Sequence, residues 1–474
     1  MIAVKKLVAL VFMLCLCFVL CSCNSEANQA SNKIVASGEC DDNINWILYE
    51  DGLLMVSGQG DMKDTPWQEY KSQITRIEIQ DGVWDVAEYA FANCTALTSV
   101  GVSGHVREIG NNAFQGCSAL QSVEFSNNRL LRRIGDEAFQ GCSSLSSIVI
   151  PDSYSYIQIG NSAFQDCSSL ASIVISESYS YIEIGNNAFQ DCSSLESVVV
   201  PDEASFGIGC FQNCAALTNI NLPSMYNIES YTFYGCSSLA SIELPEYLEN
   251  IGDSAFEGCT SLSQIVLPEK LESLGASAFE GCSSISSVTI PSGITEINDS
   301  VFCDCSSIQT VDIQGKVYKI GNYAFYGCKS LSEITFPSSL SEIGYCTFEN
   351  CSSLTAIQFP YFCEKLGSAA FRGCDNLQIV IMDRYMYCIP DQAFAMCTSL
   401  TEVYISEIIK EISKSAFEGC SLEKVYFPGI EMPEIISGYS MGGYLPLWME
   451  LDTFLRQKCN QNEFEVVLNQ SVPY

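Results

Sequence analysis

The residues that could do chemistry in this chain are its 26 cysteines and its single histidine, His105. Nucleophilic catalysis by serine or cysteine needs a base within hydrogen-bond reach, and His105 is the one histidine that could serve. It follows Gly104 in a predicted turn and has no companion motif. The sequence therefore predicts no catalytic residues and no enzyme activity.

No cofactor or metal site is predicted either. The cysteines and the histidine lack the paired spacing of a zinc site, and no glycine-rich phosphate loop occurs. Residues 41–45 (Asp-Asp-Asn-Ile-Asn) resemble the beginning of a calcium loop, but Trp46 and Gly52 occupy the positions that need Gly and Glu. We therefore expect this stretch to be a solvated loop.

Fifteen of the cysteines share one position of a tandem repeat, three residues after a phenylalanine. The Phe-x-x-Cys pairs recur every 22 to 25 residues from Phe91 to Cys420, and every 23 from Cys236 onward. Such a period is typical of a solenoid, in which each repeat forms one turn. Equivalent positions of stacked turns point the same way, whereas a disulfide needs converging Cβ atoms. We therefore expect a column of buried free thiols that act as small hydrophobic side chains.

Seven further cysteines, outside the leader and the segment around Cys23, do not occupy this column, and pairing among some of them stays open. They are Cys40, Cys210, Cys303, Cys346, Cys363, Cys388 and Cys459.

Each repeat contains a short predicted strand and a return segment. In one copy, residues 262–267 have the form Leu-x-x-Ile-x-Leu, which predicts a strand, and Pro268 ends it. The return segment carries Ile-Gly and then Ala-Phe-x-x-Cys. The residue before the cysteine is Gly in eight repeats and Asn or Asp in six, which predicts a left-handed corner. Met396 departs from this rule, so we expect its turn to be strained or reshaped.

The N-terminus has the pattern of an exported protein. Lys5 and Lys6 precede an apolar run at residues 7–20, which is short for a membrane span. Residues 20–23 (Leu-Cys-Ser-Cys) resemble a bacterial lipobox, which implies a signal peptide over residues 1–22 and lipidation of Cys23. An ordinary signal peptide followed by an incidental cysteine is the alternative. Polar residues follow, and we expect a flexible tether over 23–35.

Both ends of the array differ from the repeats, as capping units do. Residues 36–76 predict a β-rich N-terminal cap, with a hairpin over residues 46–56 that turns at Asp51-Gly52. Residues 429–474 predict a C-terminal cap or tail, which includes an amphipathic helix over residues 445–458.

The repeat unit Ile-Gly-x-x-Ala-Phe-x-Gly-Cys-Ser-x-Leu-x-x-Ile-x-Leu-Pro resembles the BspA-type leucine-rich repeat of bacterial surface proteins. The resemblance covers roughly residues 36–428 and implies an array of about 15 repeats over 77–428. It implies a mainly β leucine-rich repeat solenoid with one parallel sheet on the concave side. Short turns and strands would form the return side, with little α-helix and a cap at each end. It also implies adhesion or partner binding and no chemistry.

The net charge and the outward-facing side chains of the strands indicate which partners the chain can bind. A net charge of −34 argues against nucleic acid and anionic lipid surfaces. The two outward columns of the strands are mostly Ser and Val in the N-terminal half, but not at the C-terminal end. The predicted ligand-binding residues there are Ile379, Ile381, Glu402, Tyr404, Lys424 and Tyr426. The alternative is that the C-terminal tail folds over these residues as part of the cap.

The sequence thus favours a monomeric, lipid-anchored cell-surface protein of the bacterial envelope, held at the membrane by its N-terminal lipid. Its solenoid would bind a protein or glycan, with adhesion to host or neighbouring cells as the expected role. The alternative is a structural or scaffolding component of the envelope that has no host ligand.

Overall fold

The computed structural model describes residues 33–41, 43–126, 129–151, 156–176, 181–382, 385–406, 408–427, 434–436 and 465–468. They form a β-solenoid of about 16 turns with parallel sheets and essentially no helix. The 3₁₀ turn Gln68–Tyr70 is short, and no helix within these ranges is long and apolar enough to cross a membrane. The predicted signal peptide, Cys23, Cys459 and the helix over 445–458 lie outside the described residues.

The Leu-x-x-Ile-x-Leu segments form the first of two parallel ladders, here called the front ladder. Equivalent residues of successive turns pair, as Ser147, Ser172 and Ser197 do. Between Asn219–Ile220 and Ser287–Ile290 the ladder continues as one bridge, Ser241 to Gln264. Its strands, from the first repeat onward, are Arg76–Ile79, Ser99–Val102, Ser122–Phe125, Ser147–Ile150, Ser172–Ile175, Ser197–Val199, Asn219–Ile220, Ser287–Ile290, Thr310–Ile313, Glu333–Ile334, Ala356–Gln358, Ile379–Ile381, Glu402–Tyr404, Lys424–Phe427 and Glu465–Leu468.

The Ile-Gly segments form the second ladder, the return ladder, whose strands are mostly two or three residues long. They too pair in parallel from turn to turn. The strands are Gly60–Asp61, Val83–Val86, Glu108–Ile109, Arg133–Ile134, Ile157–Ile159, Ile182–Ile184, Ala204–Phe206, Asn227–Ile228, Asn250–Ile251, Ser273–Leu274, Glu296–Ile297, Lys319–Ile320, Glu342–Ile343, Lys365–Leu366, Cys388–Ile389, Glu411–Ser413 and Glu434–Ile436.

The N-terminal segment adds antiparallel strands to the front ladder. Ile34–Asp41 pairs with Ile44–Tyr49, which pairs with Leu53–Gly58, so the predicted hairpin is confirmed. Leu53–Gly58 then pairs in parallel with Arg76–Ile79, the first repeat strand. The strand Ile34–Asp41 begins two residues before the predicted start of the cap, within the predicted tether.

The phenylalanines of the repeat stack into one continuous column through the core. From Phe91 to Phe417, rings of successive turns lie 5.1 to 5.7 Å apart between centroids and nearly parallel. Trp67 begins the column with its ring 5.2 Å from that of Phe91, and its indole N–H donates to the Ala90 carbonyl at 2.8 Å. The N-terminal segment therefore covers the first turn with a ring of matching shape.

The cysteine column is buried, as predicted, but its thiols are also hydrogen-bond donors. Every column thiol from Cys117 onward donates to the carbonyl of the phenylalanine one turn back, with Sγ···O distances of 3.0 to 3.3 Å. Burial raises the pKa of the Cys117 thiol to about 12. The prediction of purely hydrophobic side chains was therefore incomplete. Outside the column, Cys210, Cys303, Cys346, Cys363 and Cys388 form no disulfide either.

The predicted left-handed corner occurs in all fifteen repeats, with φ between 56° and 81°. Met396 adopts it too, at φ 62°, so its turn keeps the common shape and a bulky residue takes a disfavoured conformation. A second left-handed residue, which was not predicted, lies two positions before the phenylalanine in fourteen repeats. Hydrogen bonds to the next turn stabilise this segment: the N–H groups of Ser254, Phe256 and Gly258 donate to its carbonyls at 2.7 to 2.9 Å.

Candidate binding surface on the front ladder

The six predicted ligand-binding residues lie together on three neighbouring strands. In the parallel register, Ile379 pairs with Glu402, which pairs with Lys424. The second row consists of Ile381, Tyr404 and Tyr426 in the same order. All six side chains are half-buried, and the residues between the two rows, such as Val403, point into the core. The two rows therefore form one continuous patch on the outer face of the ladder.

The patch combines a tight aromatic pair with an ion pair. The rings of Tyr404 and Tyr426 are 4.2 Å apart between centroids and within 5° of parallel. Beside them, Lys424 Nζ lies 3.6 Å from Glu402 Oε1. Burial raises the pKa of Tyr404 to about 12, and its hydrogen bond with Tyr426 contributes to the rise. The Tyr404 phenol is therefore neutral at physiological pH. The stacked rings of Tyr404 and Tyr426 have a fixed arrangement on a rigid sheet.

The strands in the N-terminal half of the front ladder that follow Ser122–Phe125 carry only small side chains on their outer face. Three successive strands, Ser147–Ile150, Ser172–Ile175 and Ser197–Val199, present Ser and Val to the outside. Val266 is the extreme case, with 81% of its surface exposed. Small side chains on a flat face offer little area to a partner, so the C-terminal patch stands out by size and chemistry.

The described part of the C-terminal tail lies beside the patch. Glu465–Leu468 pairs in parallel with Lys424–Phe427, with Glu465 opposite Lys424 and Val467 opposite Tyr426. This piece extends the front ladder by one strand and does not cross its outer face. The rest of the tail, apart from Glu434–Ile436, is outside the described residues, so the predicted covering of the patch stays open.

Sequence reasoning missed a second aromatic surface at the edge of the same turns, here called the edge cluster: Tyr361, Phe362 and Tyr385. The three residues follow the strands Ala356–Gln358 and Ile379–Ile381, in the loops that lead to the return ladder. Tyr361 lies 5.0 Å from both Phe362 and Tyr385 between ring centroids. The sequence signal was available, because aromatic residues occur in two successive loops.

His105 lies at the other end of the molecule. Its Nδ1 is 3.0 Å from Asp81 Oδ1, and both side chains are exposed. Together with Glu78 and Gly101 they line an open, polar groove beside the first repeats. Among the residues that the structure describes, no group of three His, Cys, Asp or Glu side chains is placed to hold a metal ion.

Comparison with known families matches the model for the BspA type leucine rich repeat region over residues 69–196, 204–332 and 318–438. The chain belongs to this family. The tandem units, the buried Phe-x-x-Cys positions and the parallel ladders are thus those of a BspA-type array. No curated protein is similar to the chain by sequence.

Solved structures of leucine-rich repeat proteins are similar to this chain, and the first of them shares its fold. A leucine-rich repeat protein from Bacteroides ovatus is 29% identical, with a TM-score of 0.63 over 81% of this chain and 98% of that chain. One from Eubacterium ventriosum is 23% identical, with a TM-score of 0.46 over 71% and 94%. A leucine-rich cell surface protein from Faecalibacterium prausnitzii is 21% identical, with a TM-score of 0.35 over 94% and 97%.

Proposed function

We propose that this chain is a lipid-anchored cell-surface binding protein, which recognises a protein or glycan through the C-terminal patch of its front ladder. The observation that carries this proposal is the stacked pair of Tyr404 and Tyr426, next to Lys424 and Glu402. Half-buried tyrosines bordered by charged groups are typical of the few residues that dominate binding at interfaces.

The rigidity of the patch also supports a binding role. Its strands pair in register with both neighbours, and the residues beneath them, Val380, Val403 and Val425, are almost completely buried. Because the two rings already contact each other, binding would require little further ordering of their side chains. That lowers the entropy cost which usually reduces the affinity of an exposed surface.

The surface location rests on the N-terminal sequence and on the family. The lipobox-like residues 20–23 fit a chain that is exported and acylated at Cys23. The acidic surface fits a soluble, extended object displayed from a membrane, because like charges oppose association between copies. Adhesion to a host or neighbouring cell is the role that the family resemblance implies.

Binding can be tested with the purified full chain against host matrix proteins, mucins and neutral and acidic glycans. We expect saturable binding to one class, and we expect Tyr404→Ala with Tyr426→Ala to weaken it by tenfold or more. The matched control is Tyr226→Ala with Tyr247→Ala, which removes two exposed tyrosines from loops far from the patch in sequence. Absence of binding, together with capture of an envelope component of the producing cell, would favour the scaffolding role instead.

Lipid anchoring has a separate test. Cells that express the full chain are labelled with a fatty-acid analogue, and Cys23→Ala is compared with Cys21→Ala. Label lost in the Cys23 variant and kept in the Cys21 variant supports the anchor. Label that is absent from the unaltered chain contradicts it.

A further inference from the structure

The edge cluster is an exposed aromatic surface on a fixed backbone. Tyr361 is 41% and Phe362 is 53% exposed, although the flanking residues Phe359 and Cys363 are buried. The Cys363 N–H donates to the Pro360 carbonyl at 3.0 Å, which closes a tight turn beneath the rings. The two aromatic side chains are therefore held outside the core by a backbone that is anchored on both sides.

The cluster spans two turns of the solenoid. Tyr385, in the next loop, places its ring 5.0 Å from Tyr361 and 5.7 Å from Phe362. Tyr226 and Tyr247 occupy loops of the same kind and are more exposed, at 62% and 60%, yet no ring contact is found for either within the described part of the chain. Three rings that contact one another, of which Tyr361 and Phe362 are exposed and Tyr385 is half-buried, form an apolar surface of the kind that marks an interaction site.

The charge around the cluster favours a cationic partner. The chain carries 56 acidic against 22 basic residues, so its field attracts positive groups. Tyr361 raises the pKa of Tyr385, and the carboxylate of Glu364 adds to the rise through its negative charge. Two basic residues are close to the cluster in sequence, and each has an acidic neighbour: Lys365 is paired with Glu342 at 3.0 Å, and Arg384 follows Asp383 in the chain. Aromatic faces also attract guanidinium and ammonium groups directly.

We propose that the edge cluster binds an arginine- or lysine-bearing peptide segment of a partner protein, through Tyr361, Phe362 and Tyr385. This goes beyond the proposed function, because the cluster is a second surface, at the edge of the turns that supply Ile379 and Ile381. Rings hold the cationic side chain by cation–π contact, and the acidic surroundings favour its approach. A neutral glycan would gain nothing from the charge, and a polyanion would be repelled.

The test uses the full chain and two fluorescent synthetic peptides, one of six Gly-Arg repeats and one of six Gly-Gln repeats. Binding is measured by anisotropy at low and at physiological salt. We expect the Gly-Arg peptide to bind at least tenfold more tightly than the Gly-Gln peptide. Replacement of all three rings by leucine, which keeps apolar bulk and removes the aromatic faces, should weaken Gly-Arg binding by about tenfold.

Controls separate the cluster from general attraction and from the front-ladder patch. Tyr361→Phe with Tyr385→Phe keeps the rings and should retain binding, and so should Tyr226→Leu with Tyr247→Leu. Equal binding by the three-leucine variant would show non-specific attraction to an acidic surface and overturn the proposal, as would equal binding of the Gly-Gln peptide. Loss of Gly-Arg binding on replacing Tyr404 and Tyr426 instead would place the cationic site on the front-ladder patch and overturn the edge cluster alone.

Discussion

Two glycines of one repeat, Gly258 and Gly275, are needed for different physical reasons, and substitutions can separate them. Gly258 is the left-handed corner, at φ 75°, and a Cβ added there would meet the nearest atom, Gly235 Cα, at 3.6 Å, an ordinary contact. Gly275 has no such φ, but its Cβ would lie 2.3 Å from the backbone nitrogen of Asp253 in the preceding turn. The first position is restricted by conformation and the second by space.

The expected costs follow from these geometries. In Gly258→Ala, holding an alanine in the left-handed conformation costs about 1–2 kcal/mol. The alanine also reduces the conformational freedom of the unfolded chain, which offsets about 0.4–1 kcal/mol of that cost. We therefore expect the free energy of unfolding to fall by about 1 kcal/mol. Gly258→Asn should cost less, because Asn tolerates this conformation and occupies the same corner at Asn213. Gly275→Ala must push two turns apart and should cost about 3 kcal/mol, and Gly275→Asn no less.

Urea unfolding followed by circular dichroism gives the free energies. Hydrogen exchange of the amides in residues 251–282 shows whether the loss is local, since turns of a solenoid depend mainly on their neighbours. The reasoning would be refuted if Asn were as damaging at Gly258 as at Gly275. It would also fail if Gly275→Ala unfolded at the urea concentration of the unaltered chain.

Three further predictions concern the core and its corners. Burial raises the thiol pKa of Cys94 to about 11 and of Cys117 to about 12. The unfolded chain gains thiolates as the pH rises past about 8.5, while these buried thiols stay neutral, so stability should fall from there towards pH 12. Alanine at both positions removes two of the buried thiols and should make the decline of the urea midpoint less steep; an unchanged slope would contradict the assignment. Trp67→Ala should lower the free energy of unfolding in urea by about 3–5 kcal/mol, because it removes the first ring of the column. Trp84 is 37% exposed, so Trp84→Ala should lower it by less than about 1 kcal/mol. Equal effects of the two substitutions would contradict the capping role of Trp67. Met396→Asn should stabilise by about 0.5–1 kcal/mol, since Asn suits the left-handed corner, and a lower melting temperature would show that the Met396 contacts outweigh its strain.

Much of the fold could be predicted because several positions of the repeat keep the same residue types in almost every copy. The corner is visible in the sequence since Gly, Asn and Asp occupy it almost without exception. The second left-handed position gives no such signal: Tyr89, Ser254 and Ala369 all adopt it, because hydrogen bonds to the next turn enforce the conformation. The donor role of the thiols was hidden for a related reason, since it depends on where the preceding turn places a carbonyl.

The two candidate surfaces also differ in how well the sequence predicts them. Tyr404 and Tyr426 could be predicted as neighbours because the strand register repeats and brings equivalent positions together. Tyr361, Phe362 and Tyr385 lie in loops, where the repeat does not fix which side chains meet. Their contacts depend on the three-dimensional course of two turns, so the sequence indicated their aromatic character but not their cluster.

The proposed binding function is tested most directly by the affinity of the full chain for the ligand class that the binding screen identifies, measured with and without Tyr404→Ala and Tyr426→Ala. A loss of tenfold or more, with Tyr226→Ala and Tyr247→Ala unchanged, is the predicted result. Unaltered affinity in the Tyr404 and Tyr426 variant would contradict the assignment of recognition to the C-terminal patch of the front ladder.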